Sequence, residues 1–239
     1  MSGKDFTLDE LSRYLQLPPA QISKMVSRDE IQGRQVGGKW VFSRADVHHW
    51  FEDQLSRQGQ AELRKTDRLL EDRSENIEPF QFERLFFPEA IAKPLLVRTR
   101  NSAVREMCQL AANTGMLWDV ATMREAVEAR EQLHTTALEN GVALLHPRRP
   151  QSSILGQSLV AIGVSQQPIP FGNTKGHLTD VFFLICSMDD SIHLQILAKL
   201  SRLVSEPQWL PGLRECETPQ EVYSFVTHSE QTLPLLETH

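Results

Sequence analysis

The sequence predicts an α/β fold over residues 84–239, preceded by a small domain of short helices and a hairpin over residues 1–55. Three observations carry this. Runs that are apolar throughout, at 142–145, 159–164 and 181–186, have the length and character of buried strands. Stretches of helical spacing with capping residues separate them, and helices alternating with buried strands make a sheet covered on both faces. Before residue 55 the pattern shortens to two brief helices joined across Leu17-Pro18-Pro19, then a glycine pair between β-prone segments.

Thr7-Leu8-Asp9-Glu10 is a capping box that opens a helix through Leu15. Leu17-Pro18-Pro19 stops it, because proline cannot continue a helix interior. A second helix is expected from about Ala20 to Ser27, with Ile22, Met25 and Val26 on one face. Gly37-Gly38 then joins two β-prone segments as a hairpin. Ser43-Arg44-Ala45-Asp46 starts a further helix through His49, Trp50 and Phe51. Trp40, Trp50 and Phe51 read as the core of this small domain. Residues 56–83 form a polar, charged linker in which Leu63, Leu69 and Leu70 leave room for a short helix.

In the second domain a helix near 101–114 ends at Gly115, and another runs from about Asp119 to His134. Asp189, Asp190 and Ser191 offer caps for a helix carrying Ile196, Leu197, Leu200, Leu203 and Val204. Thr218-Pro219-Gln220-Glu221 begins a last helix, with proline at its first position and glutamate completing the box.

Composition narrows the functional classes. The 239 residues carry a formal charge of −6 from 25 basic and 31 acidic side chains, so contact with nucleic acid must come from a local patch. Residues 1–55 hold seven Lys/Arg against eight Asp/Glu, which leaves protein docking open beside DNA binding for that domain. Cys108, Cys186 and Cys216 lie far apart without metal-type spacing, which suits a reducing cytoplasm better than a disulfide scaffold. Met1-Ser2-Gly3-Lys4-Asp5 lacks a signal-peptide apolar stretch, and no run approaches the roughly 20 apolar residues of a membrane span. The expectation is a cytoplasmic protein without a membrane partner.

His146 ends the apolar run Gly141-Val142-Ala143-Leu144-Leu145, and ligands of α/β sheets collect at strand ends. A histidine there can be a nucleophile, a metal ligand or packing. Val120, Met123 and Val127 mark one helix face, and Arg130 falls three residues further on the same face. His193 precedes Ile196, Leu197 and Leu200 by three, four and seven residues, again on the buried side. A buried guanidinium and a buried imidazole each need partners, and with His146 they can converge on one anionic group. A metal site of His146, His193 and His177 lacks Cys-x-x-Cys or His-Glu-x-x-His spacing.

Residues 1–55, through Thr7-Leu8-Asp9-Glu10 and Gly37-Gly38-Lys39-Trp40-Val41-Phe42-Ser43-Arg44-Ala45-Asp46-Val47, resemble the excisionase/MerR-like winged helix-turn-helix. The resemblance implies DNA as partner, with the second helix in the major groove and the wing on the backbone. Gln21, Ser23, Lys24, Ser27 and Arg28 would then face the groove, while Arg34 and Lys39 reach phosphates. One such domain offers little interface, so specific reading calls for a homodimer on two half-sites.

A second resemblance spans about 84–228. Arg130-Glu131, Thr135-Thr136, Glu139-Asn140-Gly141-Val142-Ala143-Leu144-Leu145-His146, Pro168-Ile169-Pro170-Phe171, Val181-Phe182-Phe183-Leu184-Ile185, His193-Leu194 and Glu217-Thr218-Pro219-Gln220-Glu221-Val222 are similar to the IIA domain of the phosphoenolpyruvate-dependent phosphotransferase system. The type is the fructose/mannitol one, which includes the nitrogen-regulatory IIA proteins. It implies a mixed β-sheet flanked by helices and a phosphohistidine. His146 matches the phosphorylated histidine, His193 the second active-site histidine, and Arg130 the arginine beside the pocket. Neutral imidazole is a nucleophile near neutral pH, and arginine with hydroxyls such as that of Thr135 or Thr136 suits the equatorial oxygens of a phosphoryl group. The phosphoryl donor would be a phosphohistidine carrier protein, with no cofactor. Where the family has proline before the histidine and often glycine after it, this chain has Leu145 and Pro147, and the proline removes an amide donor. The resulting expectation is a DNA-binding regulatory protein that senses phosphotransferase status through a phosphorylated histidine. A phosphohistidine carrier acting on proteins, and a IIA-like binding module without phosphate, are the alternatives.

Overall fold

The structure, a computed structural model, describes residues 5–15, 17–44, 46–47, 50–51, 54, 81–172 and 176–228. The chain divides into two compact units, Met1–Lys65 and Thr66–His239. Residues 56–80 of the expected linker lie outside the described residues.

In the first unit β1 (Phe6–Thr7) leads into α1 (Leu8–Leu15), followed by α2 (Pro19–Ser27), β2 (Arg34–Val36) and β3 (Lys39–Phe42). The expected capping box forms: Glu10 N–H donates to Thr7 Oγ1 at 3.3 Å, and Thr7 N–H donates to a Glu10 carboxylate oxygen at 2.8 Å. The three strands form an antiparallel sheet in the order β1-β3-β2. Gly37 and Gly38 turn the hairpin with φ of 58° and 77°, the left-handed pair that a two-residue turn between twisted strands requires. Phe6, Leu11, Ile22, Ile31, Phe42 and Val47 are buried and form the core. Of the three aromatics expected there, Phe51 is buried, but Trp40 and Trp50 are only half-buried. Trp40 shares a strand face with Phe42 and stacks on that ring at 6.3 Å, one pleat further along the hairpin.

The second unit opens with short 3₁₀ turns at Phe82–Leu85 and Pro88–Ala90. Then come β4 (Ile91–Leu95), α3 (Arg100–Asn113), α4 (Val120–Leu133), β5 (Val142–Leu145), β6 (Leu159–Pro170), β7 (Leu178–Cys186), α5 (Asp190–Ser205), α6 (Trp209–Glu215) and α7 (Pro219–Thr227). The sheet has the order β4-β6-β7-β5 and is mixed: β4 is parallel to β6, β6 antiparallel to β7, and β7 parallel to β5.

Alternation along the strands separates two buried faces. Ala143, Leu145, Leu159, Ala161, Phe182 and Leu184 join Met107, Cys108, Met123 and Val127 of α3 and α4 in one core. On the other face Phe183 packs against Trp209 of α6, their rings 6.3 Å apart. Strands buried on both sides need no polar alternation, which is why they read as unbroken apolar runs. Two expectations were too short. β6 continues past residue 164 to Pro170 through an irregularity in its pairing with β7, and β7 starts at Leu178. β4 and α6 escaped the pattern: Ile91-Ala92-Lys93-Pro94-Leu95 is broken by lysine and by a proline that an edge strand tolerates, and α6 contains Pro211 and Gly212. Among the described residues no helix is long and apolar enough to cross a membrane.

Candidate phosphoryl-acceptor site

β5 and β7 run parallel and adjacent, with Leu145 beside Leu184, so their C-terminal ends reach the same edge of the sheet. His146 follows β5 directly, and Ser187 follows β7. Asp189 then turns the chain, its carboxylate accepting from Ser191 and Ile192 N–H at 2.8 and 2.9 Å. That cap starts α5 and sets His193 within its first turn, facing back to the strand ends.

The two imidazoles meet. Their ring centroids lie 5.2 Å apart, edge to face at 63°. Both are almost withdrawn from solvent, His146 at 2% exposure and His193 at 1%. His193 Nδ1 and the buried Ser187 hydroxyl share a hydrogen bond of 3.0 Å. His146 Nδ1 lies 2.7 Å from the Leu144 carbonyl oxygen. A carbonyl only accepts, so Nδ1 carries the proton, and in the neutral ring Nε2 carries the lone pair.

Arg130 and Thr135 come from the other side of β5. Arg130, 6% exposed at the end of α4, donates through its guanidinium to the His134 carbonyl at 2.7 Å. Beyond α4 the chain doubles back along β5, where Ala137 stands antiparallel to Ala143 and Leu138 N–H donates to Val142 O at 2.7 Å. Thr135 is half-buried, and its Oγ1 accepts from Ala137 N–H at 3.2 Å. Gly172, in the turn after β6, passes so close that a Cβ there would stand 3.3 Å from that hydroxyl oxygen. The turn into β5 is made at Gly141, whose φ of 88° lies in the left-handed region.

Sequence reasoning passed over three groups. Glu131 is buried beside Arg130 and accepts from Thr136 N–H at 2.9 Å and from the Thr136 hydroxyl. Arg100, at the start of α3, donates to the other Glu131 oxygen at 3.3 Å. Ser187 orients His193. Their signal was weak because a glutamate in the last turn of a helix and a serine after a strand are ordinary surface features until the fold buries them. His177 is exposed, and among the described residues no cluster of three or more His, Cys, Asp or Glu can hold a metal. Leu145 is fully buried in the sheet core, and Pro147 is buried beside His146, with Arg148 and Arg149 exposed after it.

In the first unit Gln21, Ser23, Lys24, Ser27 and Arg28 are all exposed along and just beyond α2, as are Arg34 and Lys39 on the hairpin. Several of these groups have intramolecular partners. The Ser23 hydroxyl donates to Pro19 O and that of Ser27 to Lys24 O, at 2.9 and 2.8 Å. Arg34 pairs with Asp5 at 2.8 Å and Arg28 with Glu30 at 3.6 Å. Exposed pairs of this kind contribute little to stability.

Comparison with known proteins places these two arrangements. Residues 6–55 match the family model of a helix-turn-helix domain. The chain is similar to the nitrogen regulatory protein of Bradyrhizobium diazoefficiens, 31% identical over 145 residues, covering 59% of this chain and 92% of that one. Its fold is similar to the nitrogen regulatory protein IIA-Ntr of Neisseria meningitidis, with TM-score 0.54 and 22% identity, covering 60% of this chain and 97% of that one. It is also similar to a chain in the Escherichia coli complex of enzyme IIAMTL with phosphorylated enzyme IIBMTL, with TM-score 0.52 and 16% identity, covering 59% of this chain and 96% of that one. Residues 84–229, more than half of the chain, match the model of the phosphoenolpyruvate-dependent sugar phosphotransferase system EIIA 2 domain, and the chain belongs to that family.

Proposed function

We propose that the protein is a DNA-binding regulator, built as domains 1–55 and 84–239 joined by 56–83, whose EIIA 2 domain takes a phosphoryl group on His146. The observation that carries the reading is the pairing of a tautomer-defined His146 with His193, 5.2 Å ring to ring at the ends of two parallel strands. Nε2 attacks the phosphorus of a phosphohistidine carrier protein. The new N–P bond forms as the old one breaks, and the donor imidazole keeps the electron pair. Nδ1 retains its proton throughout. His193, Arg130 and the Thr135 hydroxyl are assigned to the phosphoryl oxygens, where transfer depends on positioning and charge neutralisation. The phosphoryl group brings about −1.5 to −2 charges to the edge of the sheet. Gln21, Ser23, Lys24, Ser27, Arg28, Arg34 and Lys39 form the proposed DNA surface, working as a homodimer on two half-sites.

The test is a phosphoenolpyruvate-driven phosphohistidine relay followed by intact-mass measurement. An acid-labile gain of one phosphoryl group that disappears in His146→Ala is expected. No gain, or a gain that survives the substitution, overturns the acceptor assignment and leaves a IIA-like binding module. For the DNA arm, binding to the protein's own promoter region is titrated against salt. The triple variant Lys24→Ala, Arg28→Ala, Lys39→Ala should flatten the log–log slope by roughly 0.9 per lost phosphate contact. Binding unaffected by the triple variant, in affinity and in slope, would rule out the groove assignment.

A further inference from the structure

Segment 136–138 meets β5 through one antiparallel bridge, Ala137 with Ala143, flanked by Leu144 N–H to Thr136 O and Leu138 N–H to Val142 O, and neither flanking pair makes its return bond. In a regular antiparallel ladder, residues that face each other across a hydrogen-bonded position exchange two bonds, N–H to O in each direction. Leu144 N–H makes the first, donating to Thr136 O at 3.3 Å. The return bond, from Thr136 N–H to Leu144 O, is replaced. Thr136 N–H donates instead to a Glu131 carboxylate oxygen at 2.9 Å, and the Thr136 hydroxyl donates to the same oxygen. The Leu144 carbonyl accepts His146 Nδ1–H at 2.7 Å.

We propose that Glu131 is a positioning residue: by capturing Thr136 N–H it frees the Leu144 carbonyl for His146 Nδ1, and so selects the ring nitrogen that bears the lone pair. The chemistry of the site would otherwise favour the simple ladder, since an unoccupied backbone N–H beside a carbonyl pairs with it. Glu131 outcompetes that carbonyl because a carboxylate makes the stronger acceptor. It is held for the purpose, its side chain 1% exposed, with Arg100 on its second oxygen at 3.3 Å. A buried carboxylate without such donors would be expensive, and the three donors fix it in place. Selection of one tautomer matters because an imidazole turned the wrong way loses orders of magnitude in histidine catalysis. The proposal rests on His146 as acceptor for its kinetic consequence, and on the hydrogen-bond geometry alone for its structural one.

The experiment compares Glu131→Met, close in volume but unable to accept, with Glu131→Gln, which retains a carbonyl oxygen for Thr136 N–H. Both are made in the full chain, and thermal melting checks that each is folded. Two-bond ¹H–¹⁵N spectra read the His146 tautomer, with His193 as an internal reference, and single-turnover phosphorylation from the carrier relay reads the rate. The wild type should show protonated Nδ1. Glu131→Met should shift His146 toward the other tautomer and slow phosphorylation about 10- to 100-fold, as losing an orienting partner does for ligating histidines. Glu131→Gln should keep the wild-type tautomer and most of the rate. A folded Met variant with the wild-type tautomer overturns the proposal, as does a Gln variant that loses the tautomer as fully as Met. If the wild type takes no phosphoryl group, the acceptor reading fails while the tautomer comparison still decides the role of Glu131.

Discussion

His146 is defined by the nitrogen it does not use. Its Nδ1–H is held by Leu144 O, and that leaves the lone pair on Nε2 in a ring that packs against His193. Gly141 illustrates a residue demanded by geometry. At φ 88° a side chain there is strained, and a Cβ would fall 2.7 Å from Arg214 Nη2 and 2.8 Å from Asp180 Oδ1. Those two groups form a close ion pair, with Arg214 also donating to Asn140 O, so they cannot yield cheaply. Gly141→Ala should cost about 2 kcal/mol, from strain of about 1–3 kcal/mol at such positions, seen as a lowered denaturation midpoint in urea. The cysteines behave as packing. Burial pushes the Cys108 thiol up to about 12, with Glu128 adding to the shift, and burial raises Cys186 as well. Native protein treated with iodoacetamide at pH 8 should therefore be labelled first at the half-buried Cys216, and at Cys108 and Cys186 only on unfolding. The raised thiols also favour the fold below their ordinary value of 9.0, a contribution lost as pH climbs through the shifted one.

Elements announced themselves where caps and apolar runs coincide. β5 lies where its unbroken run places it, at Val142–Leu145, and α4 and α5 begin at the aspartates that cap them, Asp119 and Asp189. Thr99 caps α3 through a reciprocal box with Ser102, and Thr99→Ala should lower stability by about 1 kcal/mol, measurable as a shift of the urea midpoint. Asp119 holds its carboxyl below the ordinary 3.8 by accepting from Thr122 N–H and then from the Thr122 hydroxyl. Its contribution is present above that value and is lost as pH falls through the lowered one. The start of α4 should accordingly fray below about pH 4, followed by Thr122 amide exchange, and Asp119→Asn should remove that pH dependence. β4 and α6 were illegible because each depends on neighbours: an edge strand with lysine and proline, and a helix with proline and glycine, take their shape from what they pack against.

At the scale of the molecule, a helix-turn-helix domain and an EIIA 2 domain share one chain, and the proposed regulation requires that one report on the other. The expected outcome is that the relay shifts the affinity of the wild-type chain for its promoter DNA and leaves that of His146→Ala unchanged, measured by fluorescence anisotropy at fixed salt. Equal affinities before and after phosphorylation would separate the two activities. By itself the sequence determined the two-part organisation, the α/β class, the buried strands and the burial of the polar residues His146, His193 and Arg130, because apolar runs, helical phase and capping residues act over a few positions. Only the tertiary structure decided that the two histidines touch, which ring nitrogen holds the proton, and that Glu131, itself held by Arg100, binds Thr136 of the segment beside β5. Those outcomes depend on strand order and on which backbone groups a distant carboxylate captures, and neither is a property of local spacing.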